Sequence, residues 1–441
     1  MSFPKGFMIG SATAAHQVEG NNIYSDYWAM EHMKYTSFVE PSGDACDHYN
    51  RYEDDIRMLA EAGLNAYRFS IEWARIEPEK GQFDEKEIEH YRSVIRCCRK
   101  YGVTPIVTMM HFTSPVWLIR EGGWEAESTV EYFRRYCAYV AEKLGDEMEY
   151  IVTINEANMG LQVGALMKRF MKQMMAAKAA AANAGGSGAS DAGAKEGAVQ
   201  VGLNLDSLME RQKLAAAENM EIFGTPQPKT FVSGLSEEGD RLIMRAHQAA
   251  RDAMKEKCPH LKIGLSLSVH DIQAVPGGEQ NAAAEWDEEF SHYIPYIQND
   301  DFFGLQNYTR SRYDAEGVMA TPEGAELTQM DYEYYPEALE HVIRRVHAEL
   351  PIDIIITENG VGIADDERRC AFIRTAMEGV QNCLADGIPV KGYMHWSLMD
   401  NFEWQKGFSM TFGLIAVDRS TQKRTPKPSL ALLGSYAKQI G

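Results

Sequence analysis

The sequence is short of positive charge. It sets 44 Lys and Arg against 64 Asp and Glu, a formal net charge of −20. It therefore has no basic excess with which to hold a nucleic acid backbone or an anionic membrane surface. No apolar run is long enough to cross a bilayer. The opening Met-Ser-Phe-Pro-Lys-Gly-Phe lacks the basic, apolar and small-residue order of a secretory leader. Seven cysteines are an odd number, Cys97 and Cys98 are adjacent, and neither CxxC nor HExxH occurs. Neither a disulfide framework nor a zinc site is indicated, and the expectation is buried free thiols in a cytoplasmic protein. What remains is ordinary for a globular chain: 45% hydrophobic and 24% charged residues, too apolar for extended disorder.

Short apolar runs alternate with longer amphipathic segments. The expected strands are Phe7–Ala14, Ala66–Trp73, Thr104–His111, Tyr150–Asn155, Ile263–Val269, Phe302–Asn307, Ile354–Glu358 and Gly392–Trp396. Several are apolar at nearly every position, as strands covered on both faces must be. Between them, Asp84 with Glu87 opens a helix carrying Ile88, Tyr91, Val94, Ile95 and Cys98, with Gly102 beyond it. Ser128 with Glu131 reads as a capping box before Phe133, Tyr136, Cys137, Val140 and Leu144. Leu339, Val342, Ile343, Val346 and Leu350 form a third stripe, closed by Pro351. Successive βα units of this kind predict an α/β fold, a single-domain (β/α)8 TIM barrel over residues 1–441, with its active site at the C-terminal ends of the strands. A doubly wound open sheet is the competing architecture. Residues 174–200 turn to Ala, Gly and Ser and are expected to form a mobile loop, into which a helix from about Met159 to Asn183 runs out.

The strand ends carry the chemistry. They offer His16-Gln17, Arg68, His111, Asn155-Glu156, Asn307-Tyr308, Glu358-Asn359-Gly360 and Trp396, the last leading to Asp400-Asn401-Phe402-Glu403-Trp404. The fifth strand adds little beyond His270. Two glutamates, Glu156 and Glu358, each terminate an apolar strand. A carboxyl pair roughly 5 Å apart suits retaining glycoside hydrolysis, and a wider gap suits inversion. In the retaining case one acid protonates the departing oxygen while the other attacks the anomeric carbon. Each residue also has a plain structural reading: Arg68 as an ion pair, Tyr308 as barrel core, Trp404 as packing, His111 as a satisfied core histidine.

Along nearly its whole length the chain resembles glycoside hydrolase family 1, the β-glucosidase family. The resemblance lies in residues 7–20 (FMIGSATAAHQVEG), in Arg68-Phe69-Ser70-Ile71-Glu72-Trp73, in Thr153-Ile154-Asn155-Glu156, in Ile356-Thr357-Glu358-Asn359-Gly360, in residues 396–404 (WSLMDNFEW) and in residues 413–418, all in the family's order. It implies Glu156 as acid/base and Glu358 as nucleophile. It implies Gln17, His111, Asn155, Glu403 and Trp404 as ligands of the sugar hydroxyls, with Asn155 on the 2-hydroxyl and Trp396 as an apolar floor. Arg68 and Tyr308 would hold Glu358 ionised, with Asn307 supporting, and Glu156 would rest protonated beside it. Glu403 disfavours a phosphorylated sugar, because like charges would meet. Some positions depart from the family's pattern: Ala157 in place of the usual Pro, Phe112-Thr113-Ser114 after His111, Thr309 for a second Tyr, and Thr411 for an Arg. These departures predict retained chemistry with an altered aglycone entrance. Met159, Met167, Met171, Met174 and Met175 would place flexible apolar side chains near that entrance.

The expected function is thus a retaining exo-β-glycosidase acting by double displacement on non-phosphorylated β-glycosides, β-glucosides first, with galactosides and fucosides as other glycones. It would need no metal or other cofactor, since two carboxyls supply the proton and the nucleophile. The partner is a small-molecule glycoside, not nucleic acid or membrane, and a homo-oligomer is left open. The rivals are a transglycosylase using the same site and a non-catalytic carbohydrate-binding protein.

Overall fold

The computed structural model describes residues 2–183 and 205–441. Eight parallel strands close a barrel: β1 (Met8–Ala12), β2 (Ala66–Ser70), β3 (Thr104–Met110), β4 (Tyr150–Ile154), β5 (Lys262–Ser268), β6 (Phe302–Gln306), β7 (Ile354–Asn359) and β8 (Val390–Trp396). Each strand pairs with its neighbours in chain order, and β8 returns to β1 through the register Met8↔Gly392 to Ala12↔Trp396. The expected architecture is therefore the observed one, and the open sheet is excluded by the β8–β1 pairing.

The near-continuous apolarity of the strands has a direct cause. Alternate side chains go to two different cores. Met8, Ala12, Ala66, Ile106, Val152, Phe302, Ile355 and Met394 belong to an inner cluster. Ile9, Tyr67, Val107, Ile151, Ile263, Phe303, Ile354 and Ile356 join the larger cluster packed against the helices. Both faces are buried, so each is mostly apolar, and the polar residues they do carry, such as Arg68, Ser266 and Gln306, are hydrogen-bonded within the barrel.

The predicted helical stripes are the buried faces of Glu85–Lys100, Ser128–Leu144 and Ala338–Glu349. Asp84 caps the first of these by accepting from the Lys86 amide. The capping box at Ser128 does not form. A tight turn over Gly123–Glu125 feeds the helix one residue earlier, Glu127 takes the N-cap position without a side-chain cap, and Glu131 pairs instead with Arg134. The Thr129 hydroxyl, which donates to the Gly123 carbonyl at 2.6 Å, ties this turn down.

Several strands stop short of their expected ends, and Trp73 lies in a short helix (Trp73–Ile76), stacked in the core on Tyr136 at 5.0 Å. The helix Met159–Asn183 has the expected bounds. Residues 174–183 are accordingly helical rather than loop, and the rest of the 174–200 stretch lies outside the described residues. The helices Leu205–Phe223 and Glu237–Lys257 complete the β4–β5 connection. All seven cysteines are free and buried. No helix among the described residues is long and apolar enough to cross a membrane.

Candidate active site

Backbone irregularity at two strand ends aims the two glutamates. Glu156 follows β4 with φ +42, a left-handed conformation that a non-glycine residue adopts at a cost of about 1–3 kcal/mol. The turn is held on both sides: the Asn155 amide donates to Met110 O at 2.9 Å, the Glu156 amide to Ser266 Oγ at 3.1 Å, and the Ala157 amide to Ser266 O at 2.9 Å. That last bond needs an N–H, which Ala157 has and a proline would lack. At the end of β7 the register to β6 shifts between Ile356 and Glu358, and the register to β8 shifts between Ile356 and Asn359. Such a bulge re-aims a side chain. The chain then leaves at Gly360, where an added Cβ would stand 1.9 Å from the Trp396 carbonyl oxygen, so only glycine lets the ends of β7 and β8 approach so closely.

Glu156 and Glu358 are each 3% exposed. Their surroundings differ. Arg68 Nη1 donates to Glu358 Oε1, and Tyr308 donates its phenolic proton to Oε2 at 2.6 Å. Burial raises the Glu358 carboxyl, and Arg68, Tyr308 and Gln306 oppose the rise. Burial pushes Glu156 well above the carboxylate range. The charge of Glu358 pushes it further, against a smaller opposing pull from Ser268 and Arg68. Both carboxyls are raised, Glu156 well above its ordinary value, so Glu358 is the better equipped of the two to be an anion and Glu156 to keep its proton. Tyr308 itself is raised well above its ordinary value by burial and by Glu358, so it stays a donor.

Around this pair, polar atoms fall into two sets: those used by the protein and those left over. Asn155 Oδ1 accepts from Arg68 Nη2 at 2.5 Å and from Gln306 Nε2 at 2.7 Å, which fixes the amide, while its Nδ2 is buried without a protein partner. Gln17 Nε2 donates to Phe402 O at 2.8 Å, while its Oε1 is buried without one. His111 stacks on Trp396 with ring centres 5.7 Å apart, and its Nε2 lies 4.0 Å from Glu358 Oε1. Its Nδ1 has no partner, and burial with nearby Arg68 keeps the ring neutral. Trp404 lies between His16 and His111 at 6.0 and 6.1 Å. Glu403 is anchored by its amide, which donates to Gly407 O at 2.7 Å. Asn307 does not face the carboxyls: its Nδ2 ties the strand ends together through Val269 O and Thr309 O at 2.8 and 3.0 Å.

The predicted residues are thus brought to one end of the barrel, but others were missed. Gln306 and Ser266 read as polar interruptions of strands, yet they hold Asn155 and the Glu156 turn. The fifth strand contributes through that serine. His270 instead pairs with Glu289 at 2.7 Å. Tyr332 was not singled out at all. It is 3% exposed, its hydroxyl has no partner, and its phenol is raised by burial and then by the charges of Glu403 and Glu156. The family departures fall in supporting contacts. Thr113 donates to Glu72 at 2.7 Å, Ser114 accepts from Trp124 at 2.9 Å, Thr309 donates to Glu333 O at 2.7 Å, and Thr411 donates to Gln329 at 2.8 Å. Of the methionines, Met159 is core, Met171 is exposed, and Met167 lines a cavity whose lining includes none of the residues around the two carboxyls. The side chains of Met174 and Met175 lie outside what is described.

The family model "Glycosyl hydrolase family 1" matches residues 1–200 and 280–441. The chain belongs to glycosyl hydrolase family 1. It is a glycoside hydrolase, built as a closed parallel barrel. The 1,4-beta-D-glucan glucohydrolase of Thermotoga neapolitana is 29% identical over 97% of this chain and 96% of its own length. The crystal structure of beta-glycosidase BGL167 is 42% identical, with a TM-score of 0.86 over 100% of this chain and 98% of that one. The 6-phospho-beta-galactosidase of Lacticaseibacillus casei is 26% identical over 97% of this chain and 96% of its own. The names of these family 1 relatives thus differ in whether the sugar is phosphorylated.

Proposed function

We propose that the protein is a retaining exo-β-glycosidase acting on non-phosphorylated β-glycosides, with β-glucosides as the principal substrates. The observation that carries this reading is the contrast between the two buried glutamates: Glu358 held by Arg68 and Tyr308, Glu156 held protonated by burial and by Glu358. Glu358 attacks the anomeric carbon while Glu156 gives its proton to the departing oxygen, leaving a glycosyl ester on Glu358. Esterification removes the negative charge that kept Glu156 protonated. Glu156, already a carboxylate once its proton has left with the aglycone, is therefore stable in that form and takes a proton from the water that cleaves the ester.

The leftover polar atoms support the following sugar contacts. Asn155 Nδ2 donates to the 2-hydroxyl oxygen, a contact that strengthens as positive charge develops at the neighbouring carbon. Gln17 Oε1 and His111 accept from other ring hydroxyls. Trp396 floors the C–H face of the sugar. Glu403 accepts hydrogen bonds from sugar hydroxyls and repels a phosphate, which favours the glucohydrolase-like over the phospho-sugar preference seen among relatives. A binding-only pocket has no need of a protonated acid beside an ion-paired nucleophile.

The reading is tested on nitrophenyl β-glucoside by following the anomeric proton of the first product. Retention gives the β-anomer first, and an α-anomer would rule out double displacement. The Glu358→Gly variant is expected to lose hydrolysis and to regain turnover with added azide, which occupies the space of the missing carboxylate. Full activity in that variant without azide would exclude Glu358 as nucleophile.

A further inference from the structure

A second cavity, of about 290 Å3, adjoins the aromatic wall of the glycone site, and none of the residues assigned above to catalysis or sugar binding lines it. Sites for small molecules begin at about this size, roughly 300 Å3. The partition between the two spaces is made of rings. Tyr27 lines the cavity and meets Trp404 edge-on at 5.2 Å. Phe231, flanked by the lining residues Thr230 and Val232, stacks on Phe112 at 5.9 Å, and Phe112 meets both Trp404 at 5.2 Å and His111 at 5.1 Å.

The lining has two chemistries. Met30, Met33, Met167 and the ring of Tyr27 give adaptable apolar walls. Arg211 and Lys229 supply two cations, and no Asp or Glu is among the described lining residues. In a chain of net charge −20 that is a local reversal of sign. Arg211 Nη1 is occupied by the Thr36 carbonyl, a neutral acceptor, and Lys229 lies 3.9 Å from Glu125, a long and partly exposed pairing. Neither cation is fully neutralised by these contacts.

We propose that this cavity binds a compact organic anion, an apolar body carrying one carboxylate, at a site separate from the glycone pocket. The methionines and Tyr27 would cover the body, and Arg211 and Lys229 would face the carboxylate.

The probe is trans-cinnamate, titrated calorimetrically into the full chain, with cinnamyl alcohol as its neutral counterpart. One equivalent is expected to bind saturably, at least ten-fold more tightly than the alcohol, and with the same affinity in saturating D-glucose. Met167→Trp, which fills the cavity, and the double variant Arg211→Gln/Lys229→Gln should each weaken cinnamate binding at least ten-fold. Hydrolysis of nitrophenyl β-glucoside by both variants should persist. If Met167→Trp fails to fold, the double variant decides alone. No saturable binding, equal affinity for the alcohol, displacement by glucose, or undiminished binding in the double variant would overturn the proposal. Loss of hydrolysis in the wild-type chain would instead count against the glycosidase reading and leave the binding test intact.

Discussion

Tyr308→Phe removes one hydroxyl from the site and little else. The phenol donates to Glu358 Oε2 at 2.6 Å, inside a site where Glu358 is nearly inaccessible to water. A buried hydrogen bond to a charged group is worth about 1.5–3 kcal/mol, and one pKa unit corresponds to about 1.36 kcal/mol. Because the bond favours the ionised form, losing it raises the Glu358 pKa, by about one to two units. Arg68 stays on Oε1, so the carboxylate keeps its principal counter-charge. Glu358 must be ionised to attack, and the acid limb of kcat/KM for nitrophenyl β-glucoside should therefore move to higher pH by that amount. Activity below the limb should fall by about 10- to 100-fold, with a smaller change above it. A limb that stays in place or moves to lower pH, in a variant with unchanged circular dichroism, would refute the assignment of Tyr308 and Glu358.

Three further outcomes follow from the same geometry. Glu156→Gln should lower kcat/KM, which reports formation of the ester, by about 10²- to 10⁴-fold on alkyl glucosides, whose leaving groups need a proton, and far less on dinitrophenyl glucoside. Equal losses on both would remove Glu156 as the acid. Asn155→Ala should slow glucoside hydrolysis by about 10- to 100-fold, the value of a substrate hydroxyl left without its donor, and slow the 2-deoxyglucoside less, only by what Arg68 and Gln306 lose with Oδ1. An equal effect on both substrates would place Asn155 away from the 2-hydroxyl. Tyr332→Phe deletes a hydroxyl that bonds nothing in the protein, so thermal stability should hold or rise while KM for glucosides increases several-fold. A lower melting temperature with unchanged KM would show a structural role instead.

The strands were legible because a barrel buries both faces of each one, so the apolar runs had to be continuous. Their polar ends marked one rim of the barrel, which made Glu156 and Glu358 candidates by position, while Asn155 and Arg68 drew their proposed roles from the family resemblance. Gln306 and Ser266 were not legible, because a polar residue inside a strand gives no sign of which neighbour it will meet across the barrel. Tyr332 sits in a connection with no periodicity, and its loop reaches the site through long-range ties such as Gln329 to Thr411. The capping box at Ser128 failed for a local reason: left-handed Gly122 and Gly123 set the entry angle of that helix, and the pattern of hydroxyl and carboxylate did not. Ala157 shows the reverse case, a departure whose consequence, an extra amide bond to Ser266 O, became visible only with the turn in place.

The division of labour between the two glutamates is tested most directly by trapping. Dinitrophenyl 2-deoxy-2-fluoro-β-glucoside forms the glycosyl ester but hydrolyses it slowly, because fluorine opposes positive charge at the anomeric carbon. Mass spectrometry of the peptic digest should find one fluoroglucosyl group on the peptide containing Glu358. A release of dinitrophenol with no label, or a label on any other residue, would contradict the account.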